Sequence, residues 1–377
     1  LQDLLQSLGL HSLAIEACLE HTPASRLVAY GKSLFIGLPT HSTWDTEEQT
    51  FLWIVCLPGL IVTIHDAEIP ALKIIVLTMV LMWTTLLHAA GPCQPDILFD
   101  RVQPPPAEWK VDPFYKKSIS AGGYPIVASE RVSDYALKEA AYLVNMMLAR
   151  RPDVREAMIH GGSRMCILAH NEFTTDLPEF AHFTPNDYWD ARARGTGGSQ
   201  TDPYCSCGEE NLLGYLGDPY AAECILIHEF AHNMHLRGLV HLDPTFDDRL
   251  KKAHHAAMEK GLWKGKYASV NHHEYFAEGV QSWFDNNREN DHDHNHVDTR
   301  RELIEYDPGL AAICHEVFGE TKLKYTKPAT RLHGHLAGYD PSQSPRFVWP
   351  RRLDATRARI LADAESRGAS ESNSAKP

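Results

Sequence analysis

The pattern His228-Glu-Phe-Ala-His232 places two imidazoles and a carboxylate inside an apolar stretch, between Ile225-Leu226-Ile227 and around Phe230-Ala231. Asp218-Pro219 before it and Gly238 after it predict one helix through the segment. Residues four apart share a helical face, so both imidazoles point the same way from a helix whose neighbours demand burial. A metal ion reconciles these demands, since two such nitrogens reach a single zinc at ~2.0–2.1 Å. Glu229 lies one residue round the helix, where it reaches a water on that metal without being a ligand. Zinc acidifies such a water towards neutrality, and a carboxylate accepts the proton. The bland alternative is a structural helix with two polar residues on an exposed face.

A catalytic zinc of this kind needs a third protein ligand and an open fourth position. The extended pattern with a third histidine six residues on is absent: position 235 is His and position 238 is Gly. His235 is expected to face solvent or pack locally. The better source is a helix predicted from Asn271 through Phe284, in which Glu274 and Glu278 lie four apart on one face. One of them binds the metal, and the other, a turn away, hydrogen-bonds a ligand histidine. A solvated glutamate pair is the alternative.

These two motifs together resemble the glutamate-type zincins, most closely the anthrax lethal factor-like peptidases. His228–His232 matches that family's H-E-F-x-H helix, and Glu274–Glu278 matches its later E-[FY]-F-A-E helix. The resemblance implies that Glu274 is the zinc ligand and Glu278 the outer partner. It also implies an oxyanion-stabilising tyrosine seven residues before the ligand glutamate, which is Tyr267. A phenol suits that task because it donates a hydrogen bond to a developing alkoxide. The similarity covers roughly His228 to Phe284, so substrate preference does not carry over. What it implies is a zinc metalloendopeptidase with one catalytic Zn2+, acting on a peptide or protein. Two alternatives stand beside it: a zincin-fold binding module without proteolysis, and a zinc hydrolase of a non-peptide amide or ester.

Around the motifs, Tyr124–Ser129 and Met165–Ala169 are predicted strands, the second a plausible edge for aligning an extended peptide. Ser133 caps a helix carrying Leu137, Ala141, Val144 and Leu148. Residues 171–217 are rich in Gly, Asp, Asn and Pro and are expected to be long ordered loops. Asp243-Pro244 opens a further helix that stops at Gly261. Few strands followed by several helices predict an α+β fold. The resemblance makes it zincin-like, with a small mixed sheet, an active-site helix and a helical C-terminal subdomain.

Other histidines carry weaker readings. The segment Asp291–His296 is a second-metal candidate or a solvated loop. His272 and His273 flank the site, either near substrate or as helix-cap residues, and His254 and His255 are expected at the surface. Glu209, Glu210 and Asn211 are placed near the cleft by proximity alone.

The apolar run Ile74–Ala90 has 17 residues, roughly 25 Å as a helix at about 1.5 Å per residue, short of the ~30 Å hydrocarbon core. Lys73 before it and Ala89-Ala90-Gly91 after it fit a secretory signal, with a type II membrane anchor and a buried core helix as alternatives. The expected organisation is an unassigned leader or prosegment at 1–73, then a signal peptide or anchor at 74–91. A linker at 92–123 containing Gln103-Pro-Pro-Pro106, a catalytic domain at 124–363 and a disordered tail at 364–377 follow. Residues 1–72 offer one amphipathic helix pattern, at Leu4, Leu5, Leu8 and Leu13, and Pro58-Gly59 interrupts a second apolar stretch, Phe51–Ile64. Export to the extracellular space is the expectation, and the six cysteines beyond Gly91 then permit disulfides. A net charge of -13 argues against nucleic acid as a partner, since phosphate contacts need clustered Lys and Arg.

Overall fold

The computed structural model describes residues 26–30, 33–41, 49–57, 60–65 and 101–363, Lys322 excepted. The chain divides into two compact units, Leu1–Leu98 and Phe99–Pro377. In the first, β1 (Arg26–Tyr30), β2 (Ser33–His41), β3 (Gln49–Leu57) and β4 (Leu60–His65) form an antiparallel meander in chain order. β3 and β4 pair from Leu57 opposite Leu60, so the apolar stretch interrupted by Pro58-Gly59 is a strand pair. Its Val, Ile, Phe and Trp content suits a pleated surface. The helical pattern at Leu4–Leu13, the run 74–90 and the tail from 364 lie outside the described residues. Among those described, no helix is long and apolar enough to cross a membrane.

The second unit begins with β5 (Lys117–Ala121) and β6 (Tyr124–Ala128), joined through Gly122 and Gly123. Both glycines have positive φ, 60° and 96°, which a two-residue hairpin with the twist of its strands requires. Then come α1 (Asp134–Met147), α2 (Pro152–His160) and β7 (Arg164–Leu168). α3 (Asn186–Arg192), β8 (Gly195–Thr196), β9 (Tyr204–Gly208) and α4 (Glu209–Leu213) follow. The later chain is helical: α5 (Ile225–Met234), α6 (Phe246–Glu259), α7 (His272–Trp283), α8 (Arg300–Tyr306) and α9 (Pro308–Phe318). The unit is α+β, with a five-stranded mixed sheet in the order β5-β6-β7-β9-β8. β6, β7 and β9 run parallel, and β5 and β8 lie antiparallel at the two edges.

Both faces of the sheet are covered. Ile126, Ala128, Met165, Ile167, Cys205 and Cys207 face the main core, which α1, α5 and α7 complete. Val127, Cys166 and Leu168 face a smaller cluster with Tyr115, Leu177 and Phe180. Burial on both sides is why Met165–Leu168 is a continuous apolar run rather than an alternating one.

Several expectations change. The linker proposed for 92–123 contains β5, and Gln103 exchanges backbone hydrogen bonds with Ser118 at 3.0 and 2.7 Å, so the stretch from Gln103 belongs to the folded unit. The strand at Met165–Ala169 is interior, between β6 and β9, and the edge is β8. The predicted loops at 171–217 contain β8, β9, α3 and α4. Five cysteines beyond Gly91, namely Cys166, Cys205, Cys207, Cys224 and Cys314, are buried and free, so no disulfide forms among them. They serve as small apolar packing groups.

Candidate metal centre

α5 starts at Ile225, six residues after the expected proline, because its caps come from elsewhere in the chain. Cys224 has no side chain able to cap the helix. Instead Cys224 N donates to Asn286 Oδ1 and Ile225 N to Asn211 Oδ1, each at 2.8 Å. These bonds satisfy amides that a helix start leaves orphaned. Past Met234 the helix continues through a π-helical turn at His235–Leu239 and a last turn to Leu242, overrunning Gly238. α7 starts as the sequence predicts: Asn271 Oδ1 accepts from His273 N and Glu274 N.

These two helices pack together and bring His228, His232 and Glu274 to one point. His228 Nε2 and His232 Nε2 each lie 3.1 Å from Glu274 Oε2, and 3.1 Å from each other. Donors of a tetrahedral zinc at ~2.0 Å would stand ~3.3 Å apart. The near-equilateral triangle fits that face of a tetrahedron. Protons satisfy it poorly, because two imidazolium groups at this separation repel each other. Burial opposes ionisation of Glu274, but its contacts with His228 and His232 outweigh burial and hold the carboxyl well below the usual range. His228 is likewise opposed by burial, yet Glu274 and Glu278 push its pKa well above normal. Two imidazole nitrogens and one carboxylate oxygen converging on one point are a donor set that fits zinc.

The far nitrogen of His228 is also held. Nδ1 donates to Gln281 Oε1 at 2.8 Å and lies 3.4 Å from Glu278 Oε1. Gln281 Nε2 in turn donates to Glu223 Oε2 at 2.7 Å, which orients the amide. Glu278 thus sits beside His228, but Gln281, which the sequence motifs do not mark, is its tighter partner. Its spacing, seven residues after Glu274 on the same helix, was the available signal. Glu278 instead ties the site to the loop behind it, accepting from Asn287 Nδ2 at 3.0 Å and facing His294 Nε2 at 3.3 Å. His294 is buried and bonded to Asp291 at 2.7 Å, so Asp291–His296 is neither solvated throughout nor a separate metal cluster.

Glu229 is half-buried on the same helix, and burial raises its pKa despite His228 and His232. Above it runs the edge strand. A Cβ on Gly195 would lie 2.9 Å from Glu229 Cγ, and one on Gly197 2.8 Å from His232 Cδ2. Only glycine lets this backbone approach so closely. Asn233 Nδ2 pins the loop by donating to Gly197 O at 3.3 Å and Pro203 O at 3.1 Å. The ring of Tyr267 lies 6.1 Å from that of His228, and Tyr267 N donates to Asp293 O at 2.8 Å. Burial raises its phenol pKa, keeping the hydroxyl protonated, and the hydroxyl makes no hydrogen bond among the described residues. Exposed Arg192, at the end of α3, adds positive charge felt by both Glu229 and Tyr267. Nothing in its local sequence marked it.

Other candidates lie elsewhere. Glu210 is paired with Arg194 at 2.6 Å, both wholly buried, and Glu209 accepts from Ser133 N and His170 N. Asn211 caps the α5 start, and all three residues are buried and engaged by these partners. His254 is half-buried against Tyr275, with ring centroids 5.3 Å apart, while His255 is exposed. His235 is buried, and His272 and His273 turn towards it rather than towards Glu229. Burial and neighbouring imidazoles push His235 down to about 3 and His273 down to about 4, so both rings are neutral at pH 7.

No protein-family model matches this chain, and no curated protein or solved structure matches it either.

Proposed function

We propose that this chain is a zinc-dependent metalloendopeptidase with a zincin-like catalytic unit of the glutamate-ligand type, similar to the anthrax lethal factor-like peptidases. The observation that carries the reading is the triangle of His228, His232 and Glu274 donor atoms, 3.1 Å on each side, with Glu229 on the same helix. Those three residues would hold the ion. When bound, zinc supplies Lewis-acid polarisation of a carbonyl and makes water acidic near neutrality. Glu229 accepts the proton of the attacking water and returns it to the leaving amine. Tyr267 donates its free hydroxyl to the carbonyl oxygen as negative charge gathers there. β8 pairs only with β9 among the described residues, so its far side is the edge of the sheet beside Glu229, where an extended peptide would add as a further strand. That edge favours a peptide over a small amide or ester. An intact Glu229 disfavours a purely structural zinc, which needs no general base.

The test is cleavage of a peptide library by purified protein, with zinc counted in parallel. Wild type should cleave and lose activity to a chelator. Glu229→Gln should keep zinc but fall ~10²–10⁴-fold in rate, and Glu274→Ala should lose zinc. Stoichiometric zinc without cleavage under varied conditions would defeat the peptidase reading.

A further inference from the structure

We propose that His235, Asp247 and His273 form a second site for a zinc-class divalent ion, adjacent to the first and structural in purpose. The three residues arrive from three elements. His235 opens the π-helical turn after α5, Asp247 lies in the first turn of α6, and His273 lies in the first turn of α7. One donor atom from each comes within 4.8 Å of the others. His235 Nε2 lies 3.2 Å from Asp247 Oδ1, close to the spacing of two ligands on one ion, while His273 approaches the other side of the same ring, with 3.4 Å between the two Nδ1 atoms.

The second observation is an orphaned atom. His235 has no exposed surface, and its Nε2 is buried without a hydrogen bond. The Asp247 oxygen at 3.2 Å is near enough but not aligned to accept from it. Buried polar atoms in folded proteins are almost always partnered, and a bound ion is one standing explanation when one is not. Phe246 and Phe276 wall the ring in, with centroids at 5.4 and 5.7 Å, so water has little access.

The donors select the ion. Two imidazoles and one carboxylate oxygen suit zinc and its transition-metal neighbours, whereas calcium and magnesium take oxygen shells. His272 Nε2 lies 2.9 Å from the same Asp247 Oδ1 and orients that carboxylate. Lys251 Nζ engages the other oxygen, Oδ2, at 2.6 Å, leaving Oδ1 on the histidine side. An ion here would clamp the end of α5 to the starts of α6 and α7. Because His273 precedes Glu274, the clamp would hold the helix carrying the third ligand of the first site. The second site does not depend on the peptidase reading.

The experiment counts zinc in purified full chain, stripped with chelator, reloaded with zinc and dialysed. Wild type should hold two equivalents, Asp247→Asn one, His273→Gln one, His228→Ala one, and Asp247→Asn with His228→Ala none. Zinc should raise the melting temperature of His228→Ala and leave that of the double variant unchanged. Asp247 and His273 are only half-buried, so their variants keep the fold where a change at His235 risks losing it. No zinc in wild type, or an unchanged count in Asp247→Asn, overturns the second site. A count that falls in Asp247→Asn but not in His228→Ala upholds it and removes the first site instead.

Discussion

Gln281 Oε1 accepts from His228 Nδ1 at 2.8 Å, joining α7 to α5 across 53 residues of sequence. The contact decides the tautomer: with Nδ1 carrying the proton, Nε2 presents its lone pair to the point shared with His232 and Glu274. Glu223 holds the amide in the accepting orientation, so the arrangement rests on a chain of three side chains.

Replacing Gln281 with Leu keeps the bulk and removes the acceptor. Zinc affinity is expected to fall ~10–100-fold, the usual effect of losing an outer partner. Competition with a fluorescent chelator measures it. Unchanged affinity would show that Glu278, at 3.4 Å, already suffices.

Tyr267→Phe removes one hydroxyl from the site. If that hydroxyl meets developing charge, kcat falls ~10²–10³-fold while KM and bound zinc stay near wild type. A rise in KM alone would make Tyr267 a substrate contact instead.

Gly197→Ala puts a methyl against the His232 ring, since the ideal Cβ position is 2.8 Å from Cδ2. The edge backbone must retreat, at a cost of ~1–3 kcal/mol in stability. Urea unfolding should show the loss, and zinc loading should weaken with it. Gly162, where an added Cβ meets nothing within 4 Å, has open space but positive φ. Its alanine variant should therefore lose stability with zinc affinity unchanged.

Asp218 is buried, and burial pushes its pKa up to about 6 despite accepting from Tyr220 N and Asn211 Nδ2. An acid raised on folding binds its proton more tightly in the folded state. Its stabilising contribution is complete below the ordinary carboxylate pKa and disappears as pH rises through 6. Relative to Asp218→Asn, wild type should lose on the order of 2 kcal/mol between pH 4.5 and 7.5. Denaturant titrations at the two pH values measure this, and parallel pH profiles would contradict it.

Local signals were readable wherever the physics was local. Ser133 and Asn271 cap α1 and α7 as their side chains predict, and Gly261 ends the helix segment after α6 with φ of 74°. β8 and β9 were missed because one is two residues long and the other alternates cysteine with serine, neither a usual strand signal. The start of α5 was misplaced because Asn211 and Asn286 cap it from outside the segment.

Helix periodicity alone placed His228, Glu229 and His232 on one helix, and put Glu274 and Glu278 on another. Which glutamate meets the histidines, which side chain holds His228 Nδ1, which strand forms the sheet edge and where His235 turns were decided only by tertiary structure. The division follows from chain entropy. Spacing and capping within a helix bring together residues already close along the chain. A contact such as His228–Gln281 or His235–Asp247 requires closing a loop, whose cost only the burial of the whole core offsets.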